Sequence, residues 1–535
     1  MSVYASRAKS EARANYRVCP SNVSKIICHR RRGGSEEYLI RWKTEPDLPV
    51  PPRAICSWHS LEELTLCLHH VQAYIESRGQ PQHLSLRYNR TSALPVSRKR
   101  KSPGSDPLLS RDGTPGLLTP KDSANFSREA SIVSISSSSN ASDSTDEPPD
   151  VYNGVLQRKA GRIVAKKASA SEPRLLPTLQ MVQAAATAPY TTAERLIRQA
   201  FFDKLKEVPK VRLENHVDTS TPSLNFTFIR EFVMRDGVFR ADLETSEGCP
   251  MPCRPNMGQN VGCEYTKQCT CLEYAAVDEQ ALSRQNPDLY RRYVAQKEAN
   301  AFIETAGLPK RFPYAKPNLD ERVPSTLRSF YREQRHPIYE CNQNCNCGPV
   351  CKSRVVQKGR RVPLTIFKTP NRGWGVYCDE PLVRGEFIDT YLGEVITNDE
   401  ADRRESKGGK DKASYLYSLD KFVGDDNDLT EETCFVVDGQ YMGGASRFIN
   451  HSCEPNCRQY TVSYNKHDLR VYDIAFFAYE DIPAKTELTF DYLDKDEEEE
   501  EDVLRKREAA ANDPRNMEKM PCNCGAVKCR GYLWV

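Results

Sequence analysis

Nine cysteines in two tight groups constrain this chain more than any other feature. The first group is Cys249, Cys253, Cys263, Cys269 and Cys271, and the second is Cys341, Cys345, Cys347 and Cys351. An odd nine cannot pair fully as disulfides, and thiolates this closely spaced are soft anionic ligands suited to zinc. Three tetrahedral zinc ions need about twelve ligand positions, which nine thiolates supply if three of them bridge two metals. Such a cluster carries a net charge of about −3, which explains the nearby Lys267, Lys352 and Arg354. Closed four-thiolate shells leave no open position for water, so these ions are expected to be structural and to hold together loops with little apolar content.

The compartment expected from the remaining sequence agrees with metal binding. No apolar run approaches the ~18 residues of a membrane span, and the first residues lack the apolar core of a secretion signal. An intracellular, reducing location and no membrane association are therefore expected, where cysteines bind metal more readily than they form disulfides. The chain has 535 residues, 20 cysteines and a formal net charge of only +3. That length allows several domains, and that balance does not describe a nucleic-acid coat.

Residues 1–78 read as a small folded segment. Val23–Cys28 and Glu37–Lys43 alternate like half-buried strands, Cys56–Trp58 follows, and a helix is predicted from Leu66 to Ser77. This order resembles a chromodomain, which holds methyl-lysine in an aromatic cage because π faces attract a weakly hydrated cation. In that resemblance Trp42 stands at the central cage position. Glu45 replaces a further aromatic, and Ser21 stands at the first position unless Tyr16 reaches in. A methyl-lysine reader and a cage-less structural module both stay open.

Residues 79–190, rich in Ser, Pro and charge, are expected to be a disordered linker. Arg98–Lys101 and the basic cluster from Arg158 to Lys167 suit nuclear import or weak contact with nucleic-acid phosphates. A helix is predicted over Thr192–Val208, within an N-terminal flank of the catalytic region at 191–245. The cysteine module is placed at 246–352, and its insert from about Ser283 to Arg335 is read as a surface elaboration.

Three short motifs carry the chemistry. They are Arg372-Gly373-Trp374-Gly375, read as a loop between strands, then Arg447 to Asn456 with Asn450-His451-Ser452-Cys453, and Glu487 to Tyr492 with Phe490-Asp491-Tyr492. Tyr391-Leu392-Gly393-Glu394 and Tyr415-Leu416-Tyr417 lie between the first two. In this order the motifs resemble SET-domain protein-lysine methyltransferases, and with the cysteine module the suppressor-of-variegation subgroup. The fold class this implies is mainly β: a SET fold of small twisted β-sheets with a knot-like C-terminus at 353–493. A zinc–cysteine pre-SET module would precede it, a charged linker at 494–518 and a zinc–cysteine post-SET module at 519–535 would follow, and the chromodomain-like β+α domain would lie at the N-terminus.

The resemblance also assigns roles. Arg372, Gly373, Trp374, Gly375, Tyr415, Arg447, Asn450, His451 and Trp534 would hold S-adenosylmethionine. Tyr391 would face the target amine, Tyr492 would lie at the transfer centre, and Phe490 would leave room for di- and trimethylation. Cys453 would join Cys522, Cys524 and Cys529 around a fourth zinc. The substrate implied is lysine 9 of the histone H3 tail, on nucleosomes in heterochromatin, in the nucleus. Nothing in the residues themselves names that lysine, so another histone lysine stays open, as do a catalytically silent reader on a zinc scaffold and autoinhibition by the Arg505–Arg507 run.

Overall fold

A computed structural model describes residues 17–43, 56–79, 155–159, 162–165, 176–242, 263, 270–299, 303–315, 317, 324–349, 351–408, 415–424, 428–465, 468–492, 521–531 and 533. Cys249, Cys253, Cys269, Trp534, Tyr16, Glu45, Lys267 and the runs 98–101, 166–167 and 505–507 lie outside these residues. The chain divides into two compact units, one drawn from Met1–Tyr74 and Gly104–Tyr190, the other from Ile75–Pro103 and Thr191–Val535. No helix among the described residues is long and apolar enough to cross a membrane.

In the first unit, strands Val23–Arg32, Ser35–Trp42 and Cys56–Ser60 form an antiparallel sheet, and the helix Leu68–Gly79 follows. Period-two alternation buries Tyr38 and Ile40 on one face, and neighbouring Leu39 is buried as well, so the sheet is covered on both sides. One cover comes from a segment expected to be disordered. Helix Leu179–Thr187, capped by Thr178 Oγ1 accepting from the Met181 N–H, packs Ala185 and Met181 against Cys28 and Leu39. His29, fully buried, anchors its end: one ring nitrogen lies 2.9 Å from the Ala188 carbonyl and the other 2.9 Å from the Tyr74 hydroxyl. A carbonyl can only accept, so Nε2 carries the proton and Nδ1 accepts from tyrosine. Residues 155–159 also add a strand to Arg17–Val18 and turn back as 162–165.

Trp42 is buried rather than lining an open cage. Its Nε1–H donates to Ser57 Oγ at 2.8 Å, Ser57 meets His59 at 2.7 Å, and His59 reaches Glu63 at 2.8 Å.

The second unit consists of small sheets. Its core strand, Asp473–Ala478, pairs with both Phe387–Tyr391 and Cys457–Ser463, and Ile338–Tyr339 completes the four-stranded sheet. A strand buried on both faces reads as a continuous apolar run, which Ile-Ala-Phe-Phe-Ala supplies. Phe477 packs with Phe387, Tyr460, Tyr314, Leu327 and Tyr331, and each large side chain so buried contributes roughly 2–3 kcal/mol. Tyr314, Leu327 and Tyr331 belong to the insert expected to be a surface elaboration. These three are core; the helix Glu279–Gln285, which leads into the insert, and the insert's helix Pro287–Glu298 instead build a separate cluster around Leu282 and Tyr293.

The flank at 191–245 lends one strand to each of three other sheets. Val211–Glu214 runs beside Leu364–Lys368, Thr227–Phe228 beside Met442–Gly443, and Val233–Met234 beside Glu394–Ile396, all parallel. Helix Thr191–Leu205 buries Ala193, Ile197, Phe201 and Leu205, one stripe at a spacing of four. Trp374 and Gly375 are not loop residues. They open the strand Trp374–Cys378, paired antiparallel with Leu364–Lys368, and only Arg372 and Gly373 lie in the turn.

Candidate active site and metal centres

The segment Glu487–Tyr492 threads between two backbones, giving the knot-like arrangement. On one side the Leu488 N–H donates to the Val376 carbonyl at 2.7 Å; on the other, Asn450–His451 pairs parallel with Thr489–Phe490 and the Ser452 N–H donates to the Phe490 carbonyl. Asn456 clamps the segment, its Nδ2 donating to the Glu487 carbonyl at 2.8 Å and its Oδ1 accepting from the Thr489 N–H at 2.9 Å. The motif contained Asn456, but its clamping role depends on an approach of distant chain that no local pattern signals.

Two groups of side chains meet at this crossing. In the first, Glu487 receives Arg372 Nη2 on one oxygen and Asn450 Nδ2, at 2.9 Å, on the other, while Asn450 also donates to the Trp374 carbonyl at 3.2 Å. Gly375 leaves space for that carboxylate, since a Cβ there would stand 2.8 Å from Glu487 Oε1. Glu487, in sequence merely the start of a motif, connects Arg372 with Asn450.

In the second group the Tyr391 hydroxyl donates to the Tyr415 carbonyl at 2.7 Å, and the Arg447 guanidinium lies 4.0 Å over the Tyr415 ring while its Nε–H donates to the Gly439 carbonyl. Tyr492 joins the groups: its hydroxyl donates to the Ile449 carbonyl at 2.9 Å, and its ring lies 4.8 Å from that of Phe490. Burial pushes the phenols of Tyr391 and Tyr492 well above their ordinary value. Neither ionises near neutral pH, so both are suited to orienting a substrate as neutral hydroxyls rather than to taking its proton.

His451 is 4% exposed. Its Nδ1 accepts the Tyr492 N–H at 3.2 Å, and its Nε2 lies 3.3 Å from Cys453 Sγ and 3.4 Å from Arg530 Nη2. The ring links the Tyr492 backbone to Cys453.

Six of the nine cysteines of the first module fall among the described residues. Cys263, Cys341, Cys347 and Cys351 form one group and Cys271, Cys341 and Cys345 another, with sulfurs within 4.8 Å in each. Cys341 belongs to both, the position a bridging thiolate must take. The tail gives a third group, Cys453, Cys522, Cys524 and Cys529, with Cys453 Sγ 4.0 Å from both Cys522 and Cys529. Around a tetrahedral zinc with Zn–S of about 2.3 Å, sulfurs lie about 3.8 Å apart, so the spacing fits.

The electrostatics fit as well. Hydrogen bonds from Cys263 and Cys341 hold the Cys347 thiol down to about 3, whereas the Cys453 thiolate pushes Cys522 well up. Neighbouring thiols cannot all ionise unless a cation joins them. Arg354 Nη2 lies 3.6 Å from Cys347 Sγ, placing a positive charge at the cluster edge.

Two family models match: the Pre-SET motif over residues 203–354 and the SET domain over 373–493. Fold and site thus define a SET-domain protein with cysteine clusters that can hold zinc. The Neurospora crassa histone-lysine N-methyltransferase, H3 lysine-9 specific dim-5, is 38% identical over 329 residues, covering 61% of this chain and 88% of that one. The zebrafish histone-lysine N-methyltransferase SUV39H1-A is 40% identical over 221 residues, covering 39% and 52%. A solved structure of the Neurospora SET domain protein DIM-5 covers 54% of this chain and 96% of its own, with 36% identity and a TM-score of 0.43. This chain belongs to the SET-domain family of H3 lysine-9-specific histone-lysine methyltransferases.

Proposed function

We propose that this chain transfers methyl groups from S-adenosylmethionine to lysine 9 of the histone H3 tail, in the nucleus, to the di- and trimethyl states, and that it acts on nucleosomes in heterochromatin. The observation that carries this reading is that the Tyr391 hydroxyl is fixed on the Tyr415 carbonyl and the Tyr492 hydroxyl on the carbonyl of Ile449, next to Asn450 of the Arg372–Glu487–Asn450 group. The choice of lysine rests on the kinship with H3 lysine-9-specific enzymes.

The bound donor supplies a methyl group on a sulfonium. Arg372, Gly373, Trp374, Gly375, Tyr415, Arg447, Asn450, His451 and Trp534 are the residues proposed to hold it, with the Glu487 carboxylate tying Arg372 to Asn450. A free lysine amine has a pKa of ~10.4, and an apolar channel beside a cation favours its neutral form. Tyr391 and Tyr492 then orient the amine for in-line attack, so positioning carries most of the rate. Phe490, 7% exposed against Phe476 and Tyr492, is proposed to leave a methylated amine room to turn.

Four zinc ions are proposed, three held by the nine pre-SET cysteines and one by Cys453 with the tail cysteines. The boundaries given from the sequence are kept as the proposed domain division, with 155–165 and 176–190 joined to the N-terminal unit. There the bond from Trp42 to Ser57 favours a structural module over a methyl-lysine cage.

The test is to incubate the full chain with labelled donor and H3-tail peptides, with lysine 9 intact or replaced by alanine, and to read the product mass. Mono-, di- and trimethylation of the intact peptide alone is expected. Equal labelling of both peptides contradicts the assignment of the lysine, and labelling of neither contradicts the activity.

A further inference from the structure

We propose that Arg530 is a positioning residue for methyl transfer, coupling the tail cysteine tetrad to the segment that bears Phe490 and Tyr492 by closing on Asp491. The proposal rests on the function stated above. Arg530 sits between Cys529 and Gly531, is 7% exposed, and donates its own N–H to Cys453 Sγ at 3.3 Å. Its guanidinium grips both oxygens of Asp491, Nη1 to Oδ2 at 2.7 Å and Nη2 to Oδ1 at 2.5 Å.

The location of Asp491 gives this pair its consequence. Alternate residues of an extended segment face opposite ways. The Phe490 and Tyr492 rings lie tilted against each other on one side, and Asp491 faces the tail on the other, so the segment is held from behind. A forked arginine–carboxylate pair fixes angle as well as distance, which a single point contact does not. His451 forms a second arm, from Cys453 Sγ to the Tyr492 N–H. Folding of the tail around its cysteines therefore sets the place of the Tyr492 hydroxyl.

The test uses the full chain as wild type, Arg530→Gln, Asp491→Asn, the double variant and Arg530→Lys, reading zinc per chain, kcat and KM on the H3 peptide, and amide exchange at Tyr492. Each neutral variant is expected to lose about 10- to 100-fold in kcat with wild-type zinc content, because small misplacements at a transfer centre cost that much. The double variant should fall no further than the worse single one, and Arg530→Lys should recover part of the loss. Unchanged kcat, multiplied losses in the double variant, or zinc lost in step with activity overturns the proposal. If the wild type methylates no H3 peptide, the function fails rather than the coupling. The coupling is then judged by exchange at Tyr492, which must rise at least about tenfold in Arg530→Gln; unchanged exchange overturns it.

Discussion

Gly439 has no side chain where Tyr391 needs the room: a Cβ would stand 2.6 Å from the Tyr391 hydroxyl, which donates to the Tyr415 carbonyl. Gly439→Ala must therefore push the phenol off its acceptor. Overpacking of this kind costs about 1–3 kcal/mol of stability, and a misplaced orienting group about 100-fold in kcat/KM. Unfolding curves and steady-state kinetics of the variant check both values. At Phe490 the expected outcome concerns the product rather than the rate. Phe490→Tyr adds a hydroxyl beside Tyr492 that can hold water in the space a methylated amine needs, so mass spectrometry should show monomethyl lysine accumulating. An unchanged trimethyl yield removes Phe490 from the control of product state.

At the scale of elements, Asp389 marks a cost within the strand Phe387–Tyr391. Burial raises its carboxyl to about 6, opposed by Arg360, whose Nε lies 3.5 Å away. The folded carboxyl keeps its proton up to about pH 6, whereas the unfolded one releases it near 3.8. Its favourable contribution is therefore complete below the lower value and lost above the higher. Asp389→Asn should gain stability over wild type as pH rises from 4 to 7, by up to about 3 kcal/mol. Urea unfolding across that range checks this, and a difference that does not vary with pH contradicts it.

The elements that were legible in the sequence carry their signal locally. Helix Thr191–Leu205 shows its stripe, and Asp473–Ala478 its apolar run. Tyr314, Leu327 and Tyr331 were misread because they are scattered among Pro, Arg and Lys, and only pairing with distant chain makes them core. Helix Leu179–Thr187 was hidden in an alanine-rich stretch whose packed face, Met181 and Ala185, is meaningful only against the sheet it covers, while Leu179 and Val182 stay exposed. Glu487, Asn456, Asp491 and Arg530 act through partners far away in sequence or across a tight turn, so no periodicity marks them.

At the scale of the molecule, the chain contains two compact units, and the larger one carries cysteine clusters that can hold metal ions before and after the SET domain core. The two kinds of cluster differ in exposure: the described pre-SET sulfurs belong to buried cysteines, whereas Cys453, Cys522, Cys524 and Cys529 are half-exposed. A chelator should reach the tail tetrad first. Since Cys453 follows the proposed cofactor residues Asn450 and His451 and Arg530 holds Asp491 between Phe490 and Tyr492, the proposed transfer site should be incomplete without a zinc in that tetrad. The most direct measurement is a chelator titration of the full chain, following zinc content, methyl transfer to the H3 tail and far-ultraviolet circular dichroism together. Loss of the first zinc equivalent should abolish transfer while the dichroism of the SET core persists. Full turnover after that equivalent has left would contradict a site completed by the tail.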